Sequence, residues 1–182
     1  MGRIRVFISH SSYDKTLARR FVQTIEAGIE IGAREIRCTS LPDYALPPGS
    51  RVSSTLNREI KGADVVVGLV TPRSLKSSYV LFELGAAWGK GRTTFPVLAK
   101  GAGMNRLPVL MKEISVAHLS TTEDVDRVVG NLADALGLGL RPKDTLVYKE
   151  ASRWLVRVAK PPKRKPATKR VRKPPGEKRV AD

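Results

Sequence analysis

Arg5-Val6-Phe7-Ile8-Ser9-His10-Ser11-Ser12 passes from a continuous apolar run straight into a polar loop, the pattern of a buried strand giving way to a connection. Immediately afterwards, from about Asp14 to Ile31, the apolar positions change period. Leu17, Ala18, Phe21, Val22, Ile25 and Ile29 recur at helical spacing and form one stripe. Strand and then helix is the unit, and the rest of the chain repeats it.

A second strand is expected over Ile36 to Ser40. It runs into Leu41-Pro42-Asp43-Tyr44-Ala45-Leu46-Pro47-Pro48-Gly49, where three prolines and a glycine oppose regular structure. Ser50 or Ser53 is expected to cap a helix carrying Val52, Leu56 and Ile60, and Ala63 to Val70 is the most hydrophobic strand of the chain. The cycle then predicts a helix over about 78–90, strands over Thr94 to Leu98 and near Ile114 to Leu119, and a helix over Thr122 to Leu136. Thr145 to Val158 has Leu146, Ala151, Leu155 and Val158 near helical spacing, enough for an extra docked helix. Five strands alternating with helices, their apolar runs continuous, predict an α/β fold with a parallel sheet covered on both faces. In such a sheet the ligand site lies beyond the carboxyl ends of the strands, where strand order reverses. The loops Ser9 to Tyr13, Leu41 to Arg51 and Thr71 to Ser78 therefore matter most.

The 182 residues suit one domain with some chain to spare. Apolar residues make up 41% and aromatics only 5%, so aliphatic side chains must build the core. The single cysteine, Cys38, rules out an internal disulfide and reads as a small buried hydrophobe in a reducing compartment. No apolar run approaches a membrane span, and residues 1–6 lack a signal-peptide core, so a cytoplasmic protein with no membrane partner is expected.

The net charge of +16 is unevenly placed. Between Lys160 and Asp182 ten Lys or Arg face only Glu177 and Asp182, a net +8, together with five of the twelve prolines. Such a segment buries too little apolar surface to offset its ordering entropy and is expected to be disordered. Two roles stay open for it: loose attachment to nucleic acid or another polyanion, and solubilisation; no aromatic interleaves its charges.

Several motifs fail on inspection. Gly85-Ala86-Ala87-Trp88-Gly89-Lys90-Gly91 is one residue short of a phosphate-binding loop and has Gly91 in place of the Ser or Thr that holds magnesium. Gly101-Ala102-Gly103 does not continue to a dinucleotide fingerprint, and no Gly-x-Ser-x-Gly elbow occurs. His10 and His118 have no partners at ligand spacing, so no metal is expected; His118 reads as a polar residue at a strand end.

One constellation survives. Ser77-Ser78-Tyr79-Val80-Leu81-Phe82-Glu83 starts the helix after the central strand, and Glu83 lies one turn after Tyr79 on the same face. Positions three and four to either side of Glu83 are Ala86, Ala87, Val80 and Tyr79, so no helical neighbour neutralises it, and it does not fit a capping box. An acid amid Leu81, Phe82, Leu84 and Trp88, beside a switch-point crevice, is a functional candidate.

In order along the chain, Arg5-Val6-Phe7-Ile8-Ser9-His10-Ser11, the loop with Pro47-Pro48-Gly49, and Ser77-x-Tyr79-x-x-x-Glu83 resemble a bacterial Toll/interleukin-1 receptor (TIR) domain over roughly residues 3 to 138. The resemblance implies a flavodoxin-like three-layer sandwich with a five-stranded parallel sheet. It divides the chain into a TIR domain at 1–138, a helical extension at 139–160 and a basic tail at 161–182. It also implies NAD+ glycohydrolysis with Glu83 as the catalytic residue, Tyr79 standing where the family usually has tryptophan. NAD+ is then a substrate and no cofactor is needed. Ser9, His10 and Ser11 are expected at the nicotinamide and ribose end, with Ser77 in the same motif, and Arg51 near the diphosphate; for His10 a helix-capping role and for Arg51 an ordinary solvated charge stay open.

The reading that follows is an NAD+ nucleosidase, hydrolase or cyclase, in bacterial immune (anti-phage) signalling, self-associating through TIR–TIR contacts. Two alternatives stand beside it: a non-catalytic TIR adaptor acting by homotypic assembly, and an enzyme like the nucleoside deoxyribosyltransferases, which share the parallel-sheet layout with an acid on a helix near the ligand.

Overall fold

A computed structural model of the chain describes residues 3–46, 48–49, 51–76, 85, 89, 91–107 and 115–162. Five strands, β1 (Val6–Ser9), β2 (Ile36–Arg37), β3 (Val65–Val70), β4 (Thr93–Leu98) and β5 (Ala117–His118), form one sheet in the order β2-β1-β3-β4-β5, parallel throughout. This is the flavodoxin-like order, and it reverses between β1 and β3. Among the described residues the helices with both ends defined are α1 (Lys15–Gly28), α2 (Val52–Gly62), α3 (Thr122–Leu136) and α4 (Leu146–Ala159). Of the helix expected over 78–90 only Gly85 and Gly89 are among the described residues, the Gly89 N–H donating to the Gly85 carbonyl at 2.9 Å.

Alternation within each strand assigns the helices to faces. Val6 and Ile8 of β1, Val65, Val67 and Leu69 of β3 and Val97 of β4 pack with the apolar stripes of α1, α3 and α4. Phe7, Val66, Val70 and Leu98 point the other way, onto Leu56 and Ile60 of α2 and onto Leu107. Both faces are apolar, and for that reason the strands read as continuous runs in sequence rather than as alternating ones.

Local chemistry sets the element ends. Helix α1 stops at Gly28, three residues before the expected end, because α3 and α4 close over it: a Cβ there would meet Tyr148 at 2.6 Å and Val129 at 2.8 Å. The chain leaves extended at Ile29 and bridges Leu140. Strand β2 is shorter than expected. Beyond Arg37 the Cys38 N–H donates to the Tyr44 carbonyl at 3.1 Å, and Leu41 donates back to Cys38, so the chain folds on its own loop instead of continuing beside β1. Within the proline-rich loop one 3-10 turn forms, Pro42–Tyr44, with proline at its start where no N–H is needed. Helix α2 is capped differently from expectation: Arg51 occupies the cap position without a side-chain cap, and Ser54 donates its hydroxyl to the Arg51 carbonyl at 3.2 Å.

Helix α3 begins with a reciprocal box in which Thr121 Oγ1 accepts the Asp124 N–H and the Asp124 carboxylate accepts the Thr121 N–H, each at 3.1 Å. It ends on Gly137 in the left-handed region at φ 61°. Thr145 caps α4, and Tyr148 of α4 donates its hydroxyl to Asp126 of α3 at 2.6 Å. Burial of the Tyr148 ring and this carboxylate partner push its phenol well above the usual range. Among the described residues no helix is long and apolar enough to cross a membrane.

Candidate functional site

The carboxyl ends of β1 and β3, on either side of the order reversal, open into a cleft of about 700 Å³. Strand β1 delivers His10 to Tyr13, the turn after β2 delivers Thr39 and Ser40, and the loop after β3 delivers Arg73 and Lys76. The lining combines four hydroxyls (Ser11, Ser12, Thr39, Ser40), the Tyr13 ring, the His10 imidazole and two cations; none of the described lining residues is a carboxylate.

The floor beneath the cleft is built on Asp14, whose side chain is fully buried. Thr71 donates its hydroxyl to Asp14 Oδ2 at 2.6 Å, and Lys100 Nζ approaches Oδ1 at 2.6 Å. Thr71 Oγ1 in turn accepts the N–H groups of Arg73 and Ser74 at 3.2 and 3.1 Å, while Ser74 Oγ accepts the Thr71 N–H at 2.7 Å. Three loops, after β1, β3 and β4, are thus pinned to one buried carboxylate. Lys100 reaches it from a left-handed backbone at φ 55°, a conformation that costs a non-glycine residue free energy and is held here by its N–H donating to the Ala159 carbonyl of α4 at 2.6 Å.

Ser11 is the cap of the turn Ser12–Asp14 that leads into α1, its hydroxyl accepting the Tyr13 N–H at 3.4 Å. His10 is not a cap. Its Nδ1 faces the Ile8 carbonyl at 3.4 Å and the Cys38 sulfur at 3.8 Å, and its Nε2 meets the Ser40 hydroxyl. The carbonyl requires a proton on Nδ1, so Nε2 accepts from Ser40. Desolvation, the largest influence, lowers the His10 pKa below the usual imidazole value despite the Ile8 carbonyl and Asp14, so the ring is neutral at pH 7. Cys38 is buried, and its thiol is pushed up to about 12 by burial, too high for a nucleophile.

Residues 6–132 match a family profile described as TIR domain. The chain belongs to the TIR domain family. A Bacillus subtilis (strain 168) protein, uncharacterized protein YddK, is 31% identical over 84 residues, which cover 46% of this chain and 31% of that one. Among solved structures, a metazoan TIR-STING receptor from C. gigas in complex with 2',3'-cGAMP aligns at TM-score 0.53 and 23% identity over 72% of this chain and 38% of that one. The same receptor in a second structure aligns at TM-score 0.51, 20% identity, 72% of this chain and 39% of that one. This TIR chain spans less than half the length of each relative, and the structural matches speak for the fold alone.

Within the TIR fold, His10 and Ser11 line the cleft, whereas Ser9, at 1% exposure, ends β1 in the protein interior. Arg51 is exposed at the start of α2 and does not line the cleft. Glu83, Ser77 and Tyr79 lie outside the described residues. His118 is the exposed last residue of β5. Among the described residues no three His, Cys, Asp or Glu side chains cluster as a metal site would require. Sequence reasoning passed over Asp14, Lys100, Arg73 and Lys76. Asp14 looks like any acid in a first helical turn, and only a partner 86 residues away shows what it holds.

Proposed function

We propose that this TIR domain is an NAD+ glycohydrolase or cyclase, releasing nicotinamide and leaving ADP-ribose or a cyclic isomer. The observation that carries the reading is a hydroxyl-rich, cationic cleft at the point where strand order reverses, where parallel sheets of this order bind nucleotides. Four hydroxyls suit ribose, and two cations suit a diphosphate.

One carboxylate is sufficient for the chemistry. The bond from ribose C1′ to the nicotinamide nitrogen breaks with its electron pair going to nitrogen, so a cationic ring departs as a neutral molecule and no general acid is needed. Glu83, carried over from the TIR motif, holds the ribose hydroxyls and stabilises the oxocarbenium-like transition state. Water adds to C1′ and loses a proton to solvent, giving ADP-ribose; a nucleophile of the same molecule gives the cyclic product. The biological setting that goes with this reading is a bacterial immune, anti-phage effector that depletes NAD+ or makes a nucleotide messenger, active in TIR–TIR assemblies.

The test is nicotinamide release by the purified full chain across a protein-concentration series that spans its self-association. Glu83→Ala should lower the rate at least about 100-fold. Full activity in that variant removes the assignment. Assembly without turnover by either protein leaves the homotypic adaptor, and base exchange on free deoxynucleosides points to the transferase-like alternative.

A further inference from the structure

We infer that Arg73 and Lys76 form the anion-holding end of the switch-point cleft and select ligands bearing a diphosphate over the corresponding nucleosides. The inference rests on reading this cleft as a nucleotide site, and it assigns to two named residues the selection between nucleotide and nucleoside.

The two side chains sit three positions apart, Arg73 just ahead of and Lys76 at the end of the 3-10 turn Ser74–Lys76. In a 3-10 turn such positions eclipse one another, so both cations leave the same side of the loop. The loop is fixed before any ligand arrives: Thr71 and Ser74 are buried, bonded to each other, and tied to Asp14. A pre-ordered pair loses little freedom on binding.

The charge balance around the pair is one-sided. Lys76 makes no ion pair with any described residue, and Arg73 packs its guanidinium over the exposed Tyr13 ring, 5.3 Å from the centroid, which leaves its planar fork open to solvent. Asp14, the acid to which this loop is tied, is buried and taken up by Lys100 and Thr71. Two adjacent cations facing hydroxyls, with no lining carboxylate among the described residues, match two adjacent phosphate charges followed by a sugar.

The contrast is the second cleft, about 520 Å³, at the amino-terminal end of β1 and β2. Its arginines share the lining with Asp43 and Glu59, and Arg37 is spent on Glu59 at 2.6 Å. Two acids stand among the arginines of that cleft, whereas the described lining of the switch-point cleft holds its cations with hydroxyls and no acid.

The experiment titrates the full chain, by calorimetry, with ADP, adenosine and inorganic diphosphate. ADP and diphosphate should compete, and adenosine should bind at least about tenfold more weakly than ADP. The double variant Arg73→Glu/Lys76→Glu should lose at least about tenfold in ADP affinity and keep its adenosine affinity. The control Arg34→Glu/Arg58→Glu changes the net charge equally, at the other cleft, and should keep ADP affinity. All proteins carry the same basic segment after residue 160, so equal ADP affinity in wild type and the Arg73/Lys76 variant overturns the inference, as does equal loss in the control. Should the double variant melt at a lower temperature, Arg73→Gln alone must still weaken ADP binding, or the inference falls. An NAD+ cleavage assay on the wild type, set beside these titrations, separates the two readings. Pair-dependent ADP binding without any NAD+ cleavage by wild type sinks the catalytic reading alone, whereas cleavage with ADP affinity indifferent to the pair sinks this one alone.

Discussion

At the amino-terminal end of the sheet, positive charge is structural. Arg37, with its side chain 9% exposed, holds the Glu59 carboxylate through Nε and Nη2 and donates to the carbonyls of Tyr44 and Ala45, tying the proline-rich loop to α2. Arg5 and Arg3 share Asp64, and Arg5 also donates to the Leu136 carbonyl at the end of α3. At the carboxyl-terminal end the pattern inverts: Asp14 is buried and satisfied, and among the described residues no carboxylate lines the cleft with the exposed cations. A count of arginines does not separate the two ends. What separates them is whether carboxylates stand among the cations: Asp64 and Glu59 take up Arg3, Arg5 and Arg37 at one end, and a charge compensated in this way holds a fold, where an uncompensated one is free to hold a ligand.

The sharpest way to break that comparison is at Asp14. Asp14→Ala leaves the Thr71 hydroxyl and the Lys100 ammonium without their acceptor and should cost about 3 kcal/mol of stability, read by urea unfolding. ADP affinity should fall as well, since the loop that carries Arg73 and Lys76 loses its anchor. Arg37→Met should cost less, about 2 kcal/mol, by stranding Glu59, and Arg37→Met/Glu59→Leu should recover most of it. Both Arg37 variants should bind ADP like the wild type; if they weaken it as Asp14→Ala does, the division between the two ends fails.

The smallest effect concerns pH. His10 has a folded pKa below its unfolded value, so between the two the unfolded chain binds more protons than the folded one. Its contribution to stability is complete above the unfolded imidazole value and is lost as pH falls through that value toward the folded one. Unfolding midpoints measured from pH 7.5 down to 5 should therefore show a decline that His10→Asn reduces; an unchanged slope in the variant would detach His10 from this part of the profile.

Much of the fold was legible in the chain because it follows from local pattern. The apolar run expected as a strand over Ala63 to Val70 forms β3 at Val65–Val70, buried throughout, and the helix expected over Thr122 to Leu136 forms as α3 with those bounds. The Thr145 to Val158 segment folds as α4 for the same reason. The misses share a different cause, which is a partner distant in sequence. Strand β2 ends early because Tyr44 takes the Cys38 N–H, and α1 ends early because Tyr148 and Val129 press on Gly28. At the site, Ser11 and His10 could be found from the loop that follows β1. The cations could not, since only the folded chain shows that Arg73 and Lys76 share a described cleft lining with hydroxyls and no acid, while Arg34 and Arg58 share theirs with Asp43 and Glu59.

Lys100 has one further consequence. Its ammonium holds the buried Asp14, its own N–H is held by the last carbonyl of α4, and Pro161 lies 3.4 Å from where a Cβ on the neighbouring Gly101 would sit. The exit of the chain toward its lysine- and arginine-rich end is therefore joined to the ligand-facing loops through Lys100. A tether fastened beyond Ala159 would act on that crevice as a hand acts on a lever, with Lys100 as the fulcrum.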